Sequence, residues 1–451
     1  MESRMLPSPF NQSSHKKFLL SFLVASSLSA PAFSENLIQV YQHAKQNDIQ
    51  LKISETNYLA TLEKKPQIQS ALKHRIDLSA DASYNLQYSG RTARGQDGSA
   101  FANLGYNLSL SKPLINKGLD AQVAQVDASI LQAKAALDID RQNLIVRVAD
   151  AYFQYLNAVD TLAFRKAEKG AIGRQLNQVK AYFDAGRSAI TDVKEAQARY
   201  DLTNAQVVIA KQQIDVSRES LKAITTRYYK KLNGAASNIP LLTPKPNSLD
   251  AWEKMALSNS KQIIVAQHAI NVAQKAIDIE RAAKEPRLDL FAKHSAGSSF
   301  GEDAVDMDRA DASVGVRFSM PLYEGGKISS RVRESRLKLR QARQKLELQK
   351  RQTIQQTRAA YLTTLSGLSQ VKALKQALNS TQTAANATQA GFEAGTRTAV
   401  DVLLSLRETF SSRRDYAKAR YDFLLNTLKL KQATGTLSEK DIVALSKLLT
   451  K

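Results

Sequence analysis

Two tracts of helix-favouring sequence constrain this chain more than anything else in it. One runs from near Gly118 to Ala185, the other from near Lys327 to Ala394. In the first, Val123, Val126, Ile130, Leu137, Leu144, Val148, Tyr155, Val159 and Leu162 recur mostly three, four or seven residues apart. That spacing makes an apolar seam for packing against other helices. At ~1.5 Å per residue, each tract is a rod roughly 100 Å long. No globular domain is that wide. A shorter helical stretch follows each tract, from about Ile190 to Ile224 and from about Ala399 to Thr434. Pairs of these shorter helices, stacked end to end, match one long rod.

The two tracts belong to two copies of one plan. Arg75-Ile76-Asp77-Leu78 is echoed by Arg287-Leu288-Asp289-Leu290, Ser111-Lys112-Pro113-Leu114 by Ser319-Met320-Pro321-Leu322, and Ala185-Gly186 with Asp192-Val193 by Ala394-Gly395 with Asp401-Val402. Three echoes in order, at offsets of 212, 208 and 209 residues, argue for an internal duplication. The expected organisation is a first repeat over 35–232 with a β-hairpin at 76–114, a Pro/Gly/Asn-rich linker at 233–247, a second repeat over 248–436 with a hairpin at 288–322, and a helical segment at 437–451. Pro113 to Gly186 is 73 residues and Pro321 to Gly395 is 74, so both turns fall at the same level.

Residues 1–34 carry a basic flank (His15, Lys16, Lys17), an apolar run Phe18–Leu28 and small residues at Ala30, Ala32 and Ser34. That is the pattern of a cleaved export signal. Formal net charge is +22, but an exported chain is a poor nucleic-acid binder. Absence of Cys excludes disulfides, thiolate metal sites and a bacterial lipid anchor. Beyond the signal no apolar run reaches the length of a membrane helix, so a membrane role requires strands.

Such strands are written in the sequence. Ile76, Leu78, Ala80, Ala82, Tyr84, Leu86 and Tyr88 alternate with Asp77, Ser79, Asp81, Ser83, Asn85 and Gln87. Residues 102–111 and 312–320 alternate likewise, while Phe291 and His294 interrupt the pattern in 288–296. A half-buried sheet packed on helices alternates too. Runs of ~10 residues with aspartates on the polar face favour a barrel wall around water. The polar loops 89–100 and 297–311 would then be extracellular. Four strands cannot close a barrel and open edges are not tolerated in lipid. The wall must therefore be shared, by two chains (eight strands) or three (twelve).

Several motifs identify a family. "ENLIQVYQHAKQND" at the mature start, "DAYFQYLNAVDTL" (150–162), "RQLNQVKAYFDAGRSAITDV" (174–193), "FSMPLYEGGK" (318–327), "AGTRTAVDVL" (395–404) and "GTLSEKDIVAL" (435–445) resemble the TolC family of outer-membrane efflux and secretion channels. The resemblance implies a mainly α protein with a transmembrane β-barrel. Its homotrimer would have a shared twelve-stranded barrel in the outer membrane of a Gram-negative bacterium and a helical tunnel in the periplasm. It implies a periplasmic adaptor (membrane fusion) protein and an inner-membrane pump of RND, MFS or ABC type as partners. The tunnel's closed end would be the helix tips. Asp401 takes the family's acidic constriction. The next acidic position matches Leu404, leaving one ring of carboxylates where the family has two. Gate tethers would be Asp192 and Thr191 on one tip and Arg397 on the other. Phe392 stands where the family has a tyrosine, and Gln175 with Gln389 would link as amides. Gly186, Arg187, Gly395 and Thr396 form the tip turns that an adaptor would meet. Read from residues alone, Gly186 and Gly395 suit left-handed helix ends, and Thr398-Ala399-Val400-Asp401 fits a capping box.

No catalytic motif is evident. The five histidines are scattered, without metal-ligand spacing, and no P-loop, dinucleotide fingerprint or nucleophile elbow occurs. A passive duct without cofactors is the leading expectation. The alternative is an exported coiled-coil adhesin or adaptor without a pore, which needs no lipid-facing band. The basic run 331–352 is either a solvated outer helix face or part of a basic lumen.

Overall fold

The computed structural model describes residues 35–87, 99–234, 243–300 and 308–449. The expected signal segment, parts of both polar loops (88–98 and 301–307) and residues 235–242 of the linker lie outside the described residues. Helices α1 (Leu37–Asn47), α2 (Ile49–Leu62) and α3 (Lys64–Ser70) precede strands β1 (Arg75–Gln87) and β2 (Ser99–Ile115). Then come α4 (Lys117–Asp184) and α5 (Ile190–Thr225). The plan recurs as α6 (Leu249–Asn259), α7 (Lys261–Ala282), β3 (Arg287–Phe300), β4 (Arg309–Ser319), α8 (Lys327–Glu393) and α9 (Ala399–Ala433), followed by α10 (Glu439–Leu449). The long helices α4 and α8 have 68 and 67 residues.

The helical stretch ahead of β1 is divided into three helices. Asp48 explains the first break. It is buried, its carboxylate accepts the Leu51 N–H at 2.7 Å, and both its oxygens pair with Arg147 of α4 at 2.7 and 3.0 Å. A capping carboxylate fixed from outside its own helix restarts the chain at a set angle.

The strands form one antiparallel sheet in the order β1-β2-β3-β4. Register puts Ile76 beside Leu110, Leu110 beside Ala292, and Ala292 beside Val314. One largely apolar face therefore spans all four strands. Among the described residues nothing covers it: Leu78 is 71% exposed and Val314 79%. Asp77, Ser109, Lys293 and Ser313 share the other face, as do Asp81, Gly105, Gly297 and Arg309. Both interruptions of the sequence pattern have physical reasons. Phe291 lies on the polar face opposite Gly315, where an added Cβ would meet the ring at 2.9 Å, and Arg317 sits 5.1 Å from the ring centroid. The ring covers backbone that the glycine leaves bare. His294 lies on the apolar face, its Nδ1 3.2 Å from the Tyr106 hydroxyl.

Below the sheet, α1, α4, α5, α9 and α10 share one core built on Val40, Leu144, Val148, Tyr152, Leu221, Leu428 and Ile442. The apolar seam predicted for α4 is buried here at Leu137, Leu144, Val148 and Tyr155. Gly435 ends α9 with φ +71°, and a Cβ there would lie 2.2 Å from the Asn259 carbonyl oxygen. Only glycine fits at this crossing of α9's end with the α6–α7 junction. In contrast to α4, α8 buries a narrow stripe and exposes Leu337, Leu348 and Leu362, while α5 exposes Leu202, Val208 and Ile209. Among the described residues no helix is long and apolar enough to cross a membrane.

Candidate functional site: the paired helix tips

Each long helix ends in the same way. At the first tip Gly186 takes φ +73°, its N–H reaches the Phe183 carbonyl at 2.9 Å, and Arg187 N–H reaches the Tyr182 carbonyl at 2.7 Å. At the second tip Gly395 takes φ +76°, its N–H reaches the Phe392 carbonyl at 3.0 Å, and Thr396 N–H reaches the Gly391 carbonyl at 2.8 Å. These interlocked bonds satisfy the last carbonyls of a helix and need a left-handed residue, which glycine adopts without strain. Thr396 adds its hydroxyl to the Gly391 carbonyl at 3.0 Å. The Arg397 side chain crosses Gly391 so closely that a Cβ there would meet its Cγ at 2.8 Å.

The return helices start differently. Thr398 and Asp401 form a full capping box: Asp401 N–H donates to Thr398 Oγ1 at 3.2 Å, and the Asp401 carboxylate accepts the Thr398 N–H at 2.9 Å. These bonds, with a smaller contribution from the Arg397 charge, hold the Asp401 carboxyl below its ordinary value. At the first tip only half a box is present. Ala189 has no acceptor to offer, so Asp192 takes the Ala189 N–H at 3.4 Å and the Ser188 hydroxyl at 2.6 Å. Thr191 is exposed beside it.

Apolar packing joins the two tips. Val179, Tyr182 and Val193 of the first meet Phe392, Ala399, Val402 and Leu406 of the second. The Phe392 and Tyr182 rings lie 5.5 Å apart, and the Arg187 guanidinium covers Tyr182 at 4.7 Å from its centroid. Phe392 lacks the hydroxyl of the tyrosine that the family resemblance implies there, and its ring is instead almost wholly buried. One polar link crosses too: Gln389 donates to Gln178 at 3.5 Å and to Glu393 at 2.8 Å. Gln175, expected opposite Gln389, is instead buried with its amide nitrogen unpartnered. Among the described residues no ion pair joins Arg397 to Asp192 within the protomer. Asp401 and Leu404 lie one turn apart on α9, with Leu404 45% exposed.

No group of acids, histidines or cysteines among the described residues could hold a metal. The arrangement offers hinges, caps and a separable apolar contact rather than reacting groups.

A family model for outer membrane efflux proteins matches residues 40–227 and 252–436. The chain belongs to the outer membrane efflux protein family. It is 34% identical to the outer membrane protein TolC of Escherichia coli, an alignment covering 96% of this chain and 90% of that one. It is 26% identical to the alkaline protease secretion protein AprF of Pseudomonas aeruginosa, over 92% of this chain and 87% of the relative. Among solved structures, the CmeC outer membrane channel of Campylobacter jejuni superposes with a TM-score of 0.73 at 16% identity, covering 98% of both chains. Likeness to that structure shows a shared fold.

Proposed function

We propose that this protein is the outer-membrane duct of an export system, closed by its helix tips and opened by partners. The carrying observation is the four-stranded sheet: one face is apolar and uncovered, and β1 and β4 are its edges. A half-wall of this kind is stable in lipid only when other copies complete it. Three copies give a twelve-stranded barrel, and the exposed apolar residues of α5 and α8 give the neighbouring helices something to bury. A family described as outer membrane efflux proteins and a relative named for alkaline protease secretion support export of small molecules, proteins or both. Energy then comes from an inner-membrane pump acting through a periplasmic adaptor that meets the turns at Gly186–Arg187 and Gly395–Thr396.

In this reading Asp401 forms a ring of three carboxylates at the constriction. Its capping bonds leave one turn of α9 rigid around that ring. Among the described residues Arg397 has no ion-pair partner, and in this reading it is available to Asp192 or Thr191 of the next copy. Opening moves the α8–α9 tip away from the α4–α5 tip and is a population shift biased by partner binding. The test is fractionation followed by planar-bilayer recording. The protein should sediment with outer membranes, conduct as a purified oligomer, and gain conductance as Arg397→Ser with Asp192→Ala. Unchanged conductance in that double variant would remove these residues from the gate, and absence from outer membranes would remove the duct.

A further inference from the structure

A second charged feature lies just inside the tips. Helices α5 and α9 flank a cleft of about 310 Å³ floored by α4, and six charged side chains line it: Arg165, Glu168, Arg199, Arg407, Glu408 and Arg414. Four arginines against two glutamates leave a surplus of positive charge. Glu168 is buried and is fully engaged as a counter-ion, since one of its oxygens accepts from both Arg165 and Arg414 at 2.9 Å. Burial and the neighbouring Arg165 charge pull Arg414 below its ordinary value. Among the described residues Arg199 and Arg407 have no ion-pair partner. Two guanidinium groups facing one cleft repel unless an anion comes between them, and their fork geometry suits carboxylate and phosphate oxygens.

The cleft's position gives this charge a use. Asp401, Leu404, Glu408 and Ser411 follow one another at three- and four-residue spacing, so they share one face of α9. Glu408 and Ser411 are also rim residues of the cleft. Its mouth therefore opens beside the face that carries the constriction. Arg407 lies six residues beyond Asp401, and Arg199 seven beyond Asp192, which is roughly 9–10 Å along each helix. Leu404 supplies no second acid to offset the arginines.

We propose that this cleft is an anion-binding station in the tunnel wall, where Arg199 and Arg407 take the carboxylate or phosphate groups of passing solutes and turn the passage above Asp401 in favour of anions. It rests on the duct reading above. Glu168 with Arg165 and Arg414 is the fixed support: it holds α9 against α4 and so sets the width of the cleft.

The experiment compares full-length wild type, Arg199→Gln/Arg407→Gln and Asp401→Asn in planar bilayers under a KCl gradient. Reversal potentials should show the chloride-to-potassium permeability ratio falling by about tenfold in the double variant, the low end of what a charged cleft does to local ion concentration. Asp401→Asn should raise the ratio. Inorganic phosphate added on the tip side should reduce current through wild type and leave the double variant unaffected. A ratio that moves with Asp401→Asn but not with the double variant would overturn the station while leaving the duct intact. An unchanged ratio with a lowered trimer melting temperature would mean that an acidic side chain of a neighbouring copy fills the cleft, which also overturns it. Absence of conductance in every form would overturn both readings.

Discussion

Phe392→Ala tests how the closed tips are held. Phe392 is 9% exposed and packs against Val179 and Tyr182 of the other tip as well as Val402 of its own, so much of its burial lies across the gap between the two tips. Truncating a buried phenylalanine costs about 3–5 kcal/mol. In the proposed gating, opening separates the tips and exposes this ring, so the loss falls on the closed state and not on the open one. Taking about 3 kcal/mol as the differential gives roughly a hundredfold shift of the closed-to-open ratio toward open. Single-channel recording of the purified oligomer reads this directly, as a rise in conductance or open time. Phe392→Leu, which keeps much of the apolar volume, should fall between wild type and Phe392→Ala. The reasoning fails if Phe392→Ala conducts like wild type while Arg397→Ser with Asp192→Ala conducts more, because the polar ties alone would then carry closure.

Three further outcomes are expected. Glu168→Gln removes the shared counter-ion of Arg165 and Arg414; their side chains keep 21% and 15% exposure, so the cost should be near the low end, about 3 kcal/mol, and visible in a thermal melt. Gly435→Ala should prevent accumulation of folded protein on a gel, since a Cβ 2.2 Å from a backbone carbonyl cannot be relieved by a side-chain rotation. Asp401 has a depressed carboxyl, so its capping contribution is complete above the ordinary carboxylate range and is lost as pH falls through the depressed value. Hydrogen exchange of residues 398–402 should quicken over that acid window, and Thr398→Ala should make it fast at every pH.

The long elements were legible in the sequence because helical spacing is a local signal that accumulates over many turns. Tracts expected from near Gly118 and near Lys327 begin at Lys117 and Lys327. Strand faces were legible for the same reason, with Ile76 to Leu86 alternating without a fault. Phe291 and His294 resisted because their explanations, Gly315 and Tyr106, sit on neighbouring strands. The break at Asp48 has no Pro or Gly to announce it, because a buried carboxylate held by Arg147 turns the chain there. At the tips, glycines and the Thr398–Asp401 box could be read off directly. The Phe392–Tyr182 contact and the junction of Arg414 with Glu168 could not, since each joins residues more than two hundred positions apart.

The uncovered apolar face of the sheet has a genetic consequence. In the proposed trimer the wall is built from identical thirds and is only as sound as its worst third, because a single distorted strand edge leaves two seams open to lipid. A variant such as Gly315→Val, which would push Phe291 away from its neighbour, should therefore poison wild-type copies made in the same cell. At equal expression and random mixing, only about one assembly in eight would contain no altered copy. A variant that never folds, by contrast, is simply left out and does no harm. Damage to the strands should be dominant and damage to the helical core recessive.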